Sequence, residues 1–204
     1  MTLILPKTSG EGIKVDPSST TYPWHDLLGR ISVRGVGGTD PTLAVYRGGI
    51  RQFQFSVNDE CFVEFHVPHD WAGQDLYMHW HWSHAATTVT GGTVTWGAEV
   101  SYAKGHNQAA FAAPITTTNA QNASTTQYQH MISEIQLTAA SPSGSQIATS
   151  ILEPDGLLLV RPYLYANGMT VSGGGVPEPF LHFADAHYQS TCIGTKAKAP
   201  SFYT

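Results

Sequence analysis

Two histidines one residue apart, His79 and His81, sit inside the run Asp75-Leu76-Tyr77-Met78-His79-Trp80-His81-Trp82-Ser83-His84. Imidazole is the commonest metal ligand among side chains, and the one whose ordinary titration falls near neutral pH. In an extended strand successive side chains point to opposite faces, so Tyr77, His79 and His81 share one face. Leu76, Met78, Trp80 and Trp82 share the other and suit a core. The two imidazoles then stand about 7 Å apart, near enough to share one ion if another group joins them. A bound metal usually takes three or four protein groups, and this run supplies two. His106 lies beyond the next strand and is the third candidate ligand. The plainer reading is a pair of strand histidines hydrogen-bonded to their neighbours or lying at a subunit contact, and no cofactor is expected.

The elements that must hold these residues read as β from Ile50 onward. Phe53, Phe55 and Val57 alternate with polar residues, Asn58-Asp59-Glu60 is a turn, and Cys61, Val63, Phe65 and Val67 alternate again before Pro68. Residues 93–102 place Val94, Trp96, Ala98, Val100 and Tyr102 on one side. Further strands are expected over 127–137, 146–152, 157–165 and 181–189, while 104–126 has no strong signal. Pro162 suggests a bulge or an edge in its strand. About eight strands with long connections and no helical period predict an all-β fold, an antiparallel sandwich of jelly-roll type. Its expected core includes Phe53, Phe55, Val63, Phe65, Trp80, Trp82, Val94, Trp96, Val100, Ile135, Leu137 and Leu159.

Residues 1–49 read differently, as an extended N-terminal arm ahead of a sandwich domain over 50–204. Residues 7–22 and 34–41 are rich in Gly, Ser, Thr and Pro, and between them Tyr22-Pro23-Trp24-His25-Asp26-Leu27-Leu28 reads as a short helical turn or an anchor. Trp24, Leu27 and Leu28 form the compact apolar cluster of this polar stretch, so they are the expected contacts with a neighbouring subunit or surface.

The 204-residue chain has 41% hydrophobic residues, enough for a core, but only 12% charged residues and a net charge of -5. Low charge leaves a surface of uncharged polar residues or one covered by neighbouring subunits. The negative balance offers no general attraction to nucleic acid or anionic lipid, and no stretch has the length of a membrane span. Cys61 falls in the apolar phase of its strand and is expected as a buried thiol; its distance from Cys192 is open. Glu153-Pro154-Asp155-Gly156 reads as a turn, and His66, Pro68, His69, Asp70 and Trp71 as a loop anchor.

Gly73, five residues, then His79-Trp80-His81 is similar to the opening of the cupin metal motif, but Ala85 and Ala86 stand where that motif has its Glu. The same pair, with His106 beyond, is similar to the ligand strands of α-carbonic anhydrases. A metal-dependent jelly-roll enzyme using His79, His81 and His106 is therefore the lesser alternative.

A broader resemblance runs through Tyr22-Pro23-Trp24-His25-Asp26-Leu27, Gly48-Gly49-Ile50-Arg51-Gln52-Phe53, Thr93-Val94-Thr95-Trp96-Gly97 and Tyr102-Ala103-Lys104-Gly105-His106-Asn107-Gln108. It continues in Gly173-Gly174-Gly175-Val176-Pro177-Glu178-Pro179-Phe180-Leu181-His182-Phe183 and Ala199-Pro200-Ser201-Phe202-Tyr203. Over most of its length the chain resembles virion structural proteins of tailed bacteriophages. The resemblance implies a non-enzymatic place in the particle. The expected role is a capsid decoration or cement protein on the outer surface of the head. Its partners would be itself, with a trimer favoured, and the major capsid protein. A tail or head–tail connector component is the structural alternative.

Overall fold

A computed structural model of the chain describes residues 22–34 and 39–192 and the short strands β1 (Leu3–Ile4) and β2 (Lys14–Val15). The other strands are, in chain order, β3 (Trp24–Gly29), β4 (Thr42–Arg47), β5 (Ile50–Gln54), β6 (Val63–His66), β7 (Tyr77–Ser83), β8 (Val89–Ala103) and β9 (Ile115–Asn122). They are followed by β10 (Met131–Gln136), β11 (Thr138–Ala139), β12 (Ile147–Ala148), β13 (Leu157–Val171) and β14 (Phe180–Gln189). Among the described residues there is no α-helix, and no helix is long and apolar enough to cross a membrane.

Two antiparallel sheets make an all-β sandwich. The larger has the order β10-β7-β14-β5-β4, with β3 also on β14. Strands β5 and β3 share one edge of β14 in succession, β5 opposite residues 180–181 and β3 opposite residues 184–189. The smaller sheet runs β6-β13-β8-β9. Alternation drives the packing. Met78, Trp80 and Trp82 of β7 and Val94, Trp96, Ala98 and Val100 of β8 are buried between the sheets. Phe55 meets Trp96 edge-on at 5.3 Å between ring centres, and Trp82 lies 6.4 Å from the same indole.

Several expectations change. Leu159 is exposed, while Leu158 and Val160 are buried; in the run Leu157-Leu158-Leu159-Val160 both phases are apolar, so alternation could not choose between them. Phe53 is only partly buried, though it packs on the core. The strand expected over 146–152 is the two-residue β12 and a 3-10 turn, Thr149–Ile151. Pro162 lies in an interior strand and not at an edge. Paired β6 residues stop opposite Val160, the Pro162 carbonyl accepts the Cys61 N–H at 2.9 Å, and the register shifts between Leu164 and Ala166.

The stretch expected as an arm supplies β3 and β4 to the larger sheet, so the sheet begins well before residue 50. Residues 24–29 are a strand and not a helical turn, because their backbone pairs with β14 from Gly29 opposite Ala184 to Trp24 opposite Gln189. The rest of the expected arm lies mostly outside the described residues.

Candidate functional site

Cross-strand partners project to the same face, and this places a polar cluster on the outer face of the larger sheet. His79 pairs with Asp185 and with Glu134, His81 with Phe183, and His187 with Asp26. His79 Nε2 lies 2.9 Å from Glu134 Oε2, and His187 Nε2 lies 2.6 Å from Asp26 Oδ1. A carboxylate only accepts, so both rings donate Nε2–H, and in a neutral imidazole that tautomer keeps the lone pair on Nδ1. His81 Nε2 is 3.1 Å from Asp185 Oδ2, and His81 Nδ1 is 2.8 Å from His130 Nε2. A consistent chain follows: His130 donates to His81, which donates to Asp185.

Two atoms are left over. Asp185 Oδ1 and His79 Nδ1 are buried, have no hydrogen-bond partner among the described residues, and face one another at 3.6 Å. Their residues are 3% and 6% exposed. The His79 and His187 rings are 3.8 Å apart between centres, and ligand-type atoms of His79, Asp185 and His187 all lie within 4.8 Å of one another.

A register shift between Leu181 and Phe183 leaves His182 without a partner on β7. Its Nε2 reaches Ser83 Oγ at 2.7 Å, and the same hydroxyl is 2.7 Å from Tyr46 Oη. Burial first, and then the nearby His130 and His81, pull the His182 imidazole down from 6.5 to about 4.

His106 does not join His79 and His81. It pairs with Asp155, and His66 and His69 each approach the same carboxylate at 3.0 Å, beside the smaller sheet. Burial alone would raise the Asp155 carboxyl. The His106 hydrogen bond and the facing His69, His106 and His66 rings outweigh it and hold the group below its ordinary value. These contacts bind the loops after β6 and β8 to the turn before β13, the anchoring role expected of His66 and His69. Asp70 takes part too, accepting from Tyr188 Oη at 3.1 Å and from Ser190 Oγ at 2.5 Å.

Of the expected contact residues, Trp24 and Leu28 point outward and are 52% and 74% exposed. Leu27 instead turns inward against the core, since it pairs with buried Ala186. A second apolar surface lies at the other end of the same sheet edge. Leu43 pairs with Phe53, which pairs with buried Leu181, so Leu43 and Val45 belong to the inner face. They are nevertheless 51% and 54% exposed. Strand β4 is the edge strand of the six-stranded sheet, and among the described residues the smaller sheet leaves these two side chains largely uncovered.

Sequence reasoning found His79 and His81 but missed Asp185, His187, Glu134, His130 and Asp26. One signal was present: Asp185 and His187 have the same i, i+2 spacing, in a segment already read as a strand.

No family model and no curated protein matches the chain. Among solved structures it is similar to Arthrobacter globiformis T6 isomalto-dextranase complexed with panose. The identity is 14%, the TM-score 0.34, and the match covers 81% of this chain but 22% of that one. A likeness this weak carries no functional argument.

Proposed function

We propose that the chain is a structural subunit of a bacteriophage particle, a decoration or cement protein that acts on the head through subunit contacts. The sequence resemblance supports the setting, and one structural observation supports the mode of action. Leu43 and Val45 lie on the inner face of an edge strand and, among the described residues, are left half-exposed by the opposite sheet. An uncovered apolar edge strand is a pairing hazard for a solitary protein and a docking surface for an assembling one. The occupant we assign is a second copy of this chain, in a closed ring of three that sits at local three-fold positions of a shell.

The strand order fits the same reading. Strands β5, β6, β7, β8, β9, β10, β13 and β14 divide between the sheets as β10-β7-β14-β5 and β9-β8-β13-β6. We read this as the eight-stranded, doubly wound Greek-key order of a jelly roll.

The test is light scattering on the purified chain and on a Leu43→Glu, Val45→Glu variant, followed by sedimentation with phage heads. We expect trimers that cosediment with heads, and variant monomers that bind heads at least tenfold more weakly. A wild-type monomer that ignores heads would sink the proposal. Cryo-electron microscopy of the particle gives the copy number: many copies over the shell support a head protein, and a few at one vertex support the connector alternative.

A further inference from the structure

The outer-face cluster contains two facing buried polar atoms, His79 Nδ1 and Asp185 Oδ1, that no hydrogen bond among the described residues satisfies. With its Nε2–H given to Glu134, His79 in the neutral form that binds metals turns its Nδ1 lone pair toward the buried Asp185 Oδ1, 3.6 Å away. Two electron-rich atoms facing each other out of water repel, and a buried carboxylate oxygen without a donor is costly. Orphaned buried groups of this kind point to a water or an ion between them.

The spacing identifies the kind of ion. Two donors each about 2.1 Å from a tetrahedral centre are about 3.4 Å apart, close to the 3.6 Å between His79 Nδ1 and Asp185 Oδ1. His187 supplies the third ligand. Its Nε2 is committed to Asp26, so Nδ1 is the nitrogen left for the cluster.

We propose that His79, Asp185 and His187 bind one divalent transition-metal ion of the zinc class through two imidazole nitrogens and one carboxylate oxygen. Two nitrogens and one oxygen suit Zn²⁺ or Fe²⁺ better than the all-oxygen shells of Mg²⁺ or Ca²⁺. The outer shell is complete. Glu134 fixes the His79 tautomer, Asp26 fixes that of His187, and His81 holds the second Asp185 oxygen. Ligand histidines in metal sites are ordinarily oriented by such partners. Access runs past His187 and Asp26, whose side chains are 29% and 51% exposed, and a fourth coordination position there takes water. The site is independent of the apolar edge strand and of the proposed role in the virion.

The experiment is calorimetric titration of chelator-stripped full-length protein with Zn²⁺, with the absorption spectrum of the Co²⁺ form as a readout of geometry. Asp185→Asn and His187→Gln remove ligands, and His106→Gln removes a histidine of the other cluster. Circular dichroism reports folding of each variant. We expect one ion per chain, a tetrahedral cobalt spectrum, and affinity lowered by more than about 100-fold in both ligand variants. His106→Gln should bind as the wild type does. No saturable binding by the folded wild type would overturn the assignment. So would unchanged binding in folded Asp185→Asn and His187→Gln, or equal losses in all three variants, which is the mark of adventitious surface histidines.

Discussion

His187 of β14 donates its Nε2–H to Asp26 of β3 across 2.6 Å, joining a strand from the start of the described sheet to its last. The contact does two jobs: it ties the two strands together and leaves the His187 Nδ1 lone pair for the cluster. Half-exposed Asp26 is removable without opening the core, so Asp26→Asn should fold normally. Zn²⁺ affinity should fall about 10- to 100-fold, the usual effect of an outer-shell carboxylate. Titration calorimetry checks this, and an unchanged affinity would show that Asp26 does not orient the ring.

Gly29 is the point at which β3 can approach the second sheet. A methyl group there would lie on the Val63 and Phe65 side chains and 2.9 Å from the Ala184 carbonyl oxygen. The oxygen belongs to a paired backbone and cannot swing aside. Gly29→Val should therefore cost about 1–3 kcal/mol, as overpacked cores do. The urea midpoint measures it, and a midpoint equal to the wild type would mean that β3 is not held this closely.

His182 makes the stability depend on acid. In the folded chain its imidazole titrates at about 4, against the ordinary 6.5. Between those values the unfolded chain binds the proton and the folded chain does not, so stability rises with pH. The contribution is whole above about 6.5, fades as pH drops, and is lost near 4. The groups facing His182 are His81, His130, Ser83 and Tyr46. Urea midpoints recorded from pH 7 to pH 4 should fall less steeply in His182→Gln than in the wild type; parallel profiles would refute the assignment.

The two thiols should behave differently. Cys61 is fully buried, which pushes its thiol far above the ordinary range, whereas Cys192 is exposed. Thiolate, not thiol, reacts with aromatic disulfide reagents. Native protein should yield one reactive thiol per chain and denatured protein two. Two fast thiols in the native state would place Cys61 at the surface.

How much of this was legible in the sequence depended on which faces were apolar. Strand β8 was readable because one side is Val94, Trp96, Ala98, Val100 and Tyr102 and the other is polar. Strand β9, Ile-Thr-Thr-Thr-Asn-Ala-Gln-Asn, was not, because an edge strand with little to bury has no apolar phase to show. Strand β3 read as a turn or anchor because Leu28 and Trp24 break the alternation by facing outward. In the polar cluster His79 and His81 were visible as a pair. Their carboxylate partner Asp185, 104 residues beyond His81, became visible only when the strands were placed side by side.

The position of β14 in the sheet carries a consequence for biosynthesis. It lies between β7 on one side and β5 and β3 on the other, yet it is the last described strand to leave the ribosome. Until residues 180–189 emerge, β3 has no sheet partner and the hairpin of β4 and β5 has nothing to join it to β7. Such long-range pairing makes for slow folding and leaves strand edges open to wrong partners meanwhile. A nascent chain halted before residue 180 would hold the larger sheet in three unjoined pieces, β3, the β4–β5 hairpin and the β7–β10 pair. Asp185 and His187 arrive on that same final strand, so loading of an ion can only follow completion of the fold.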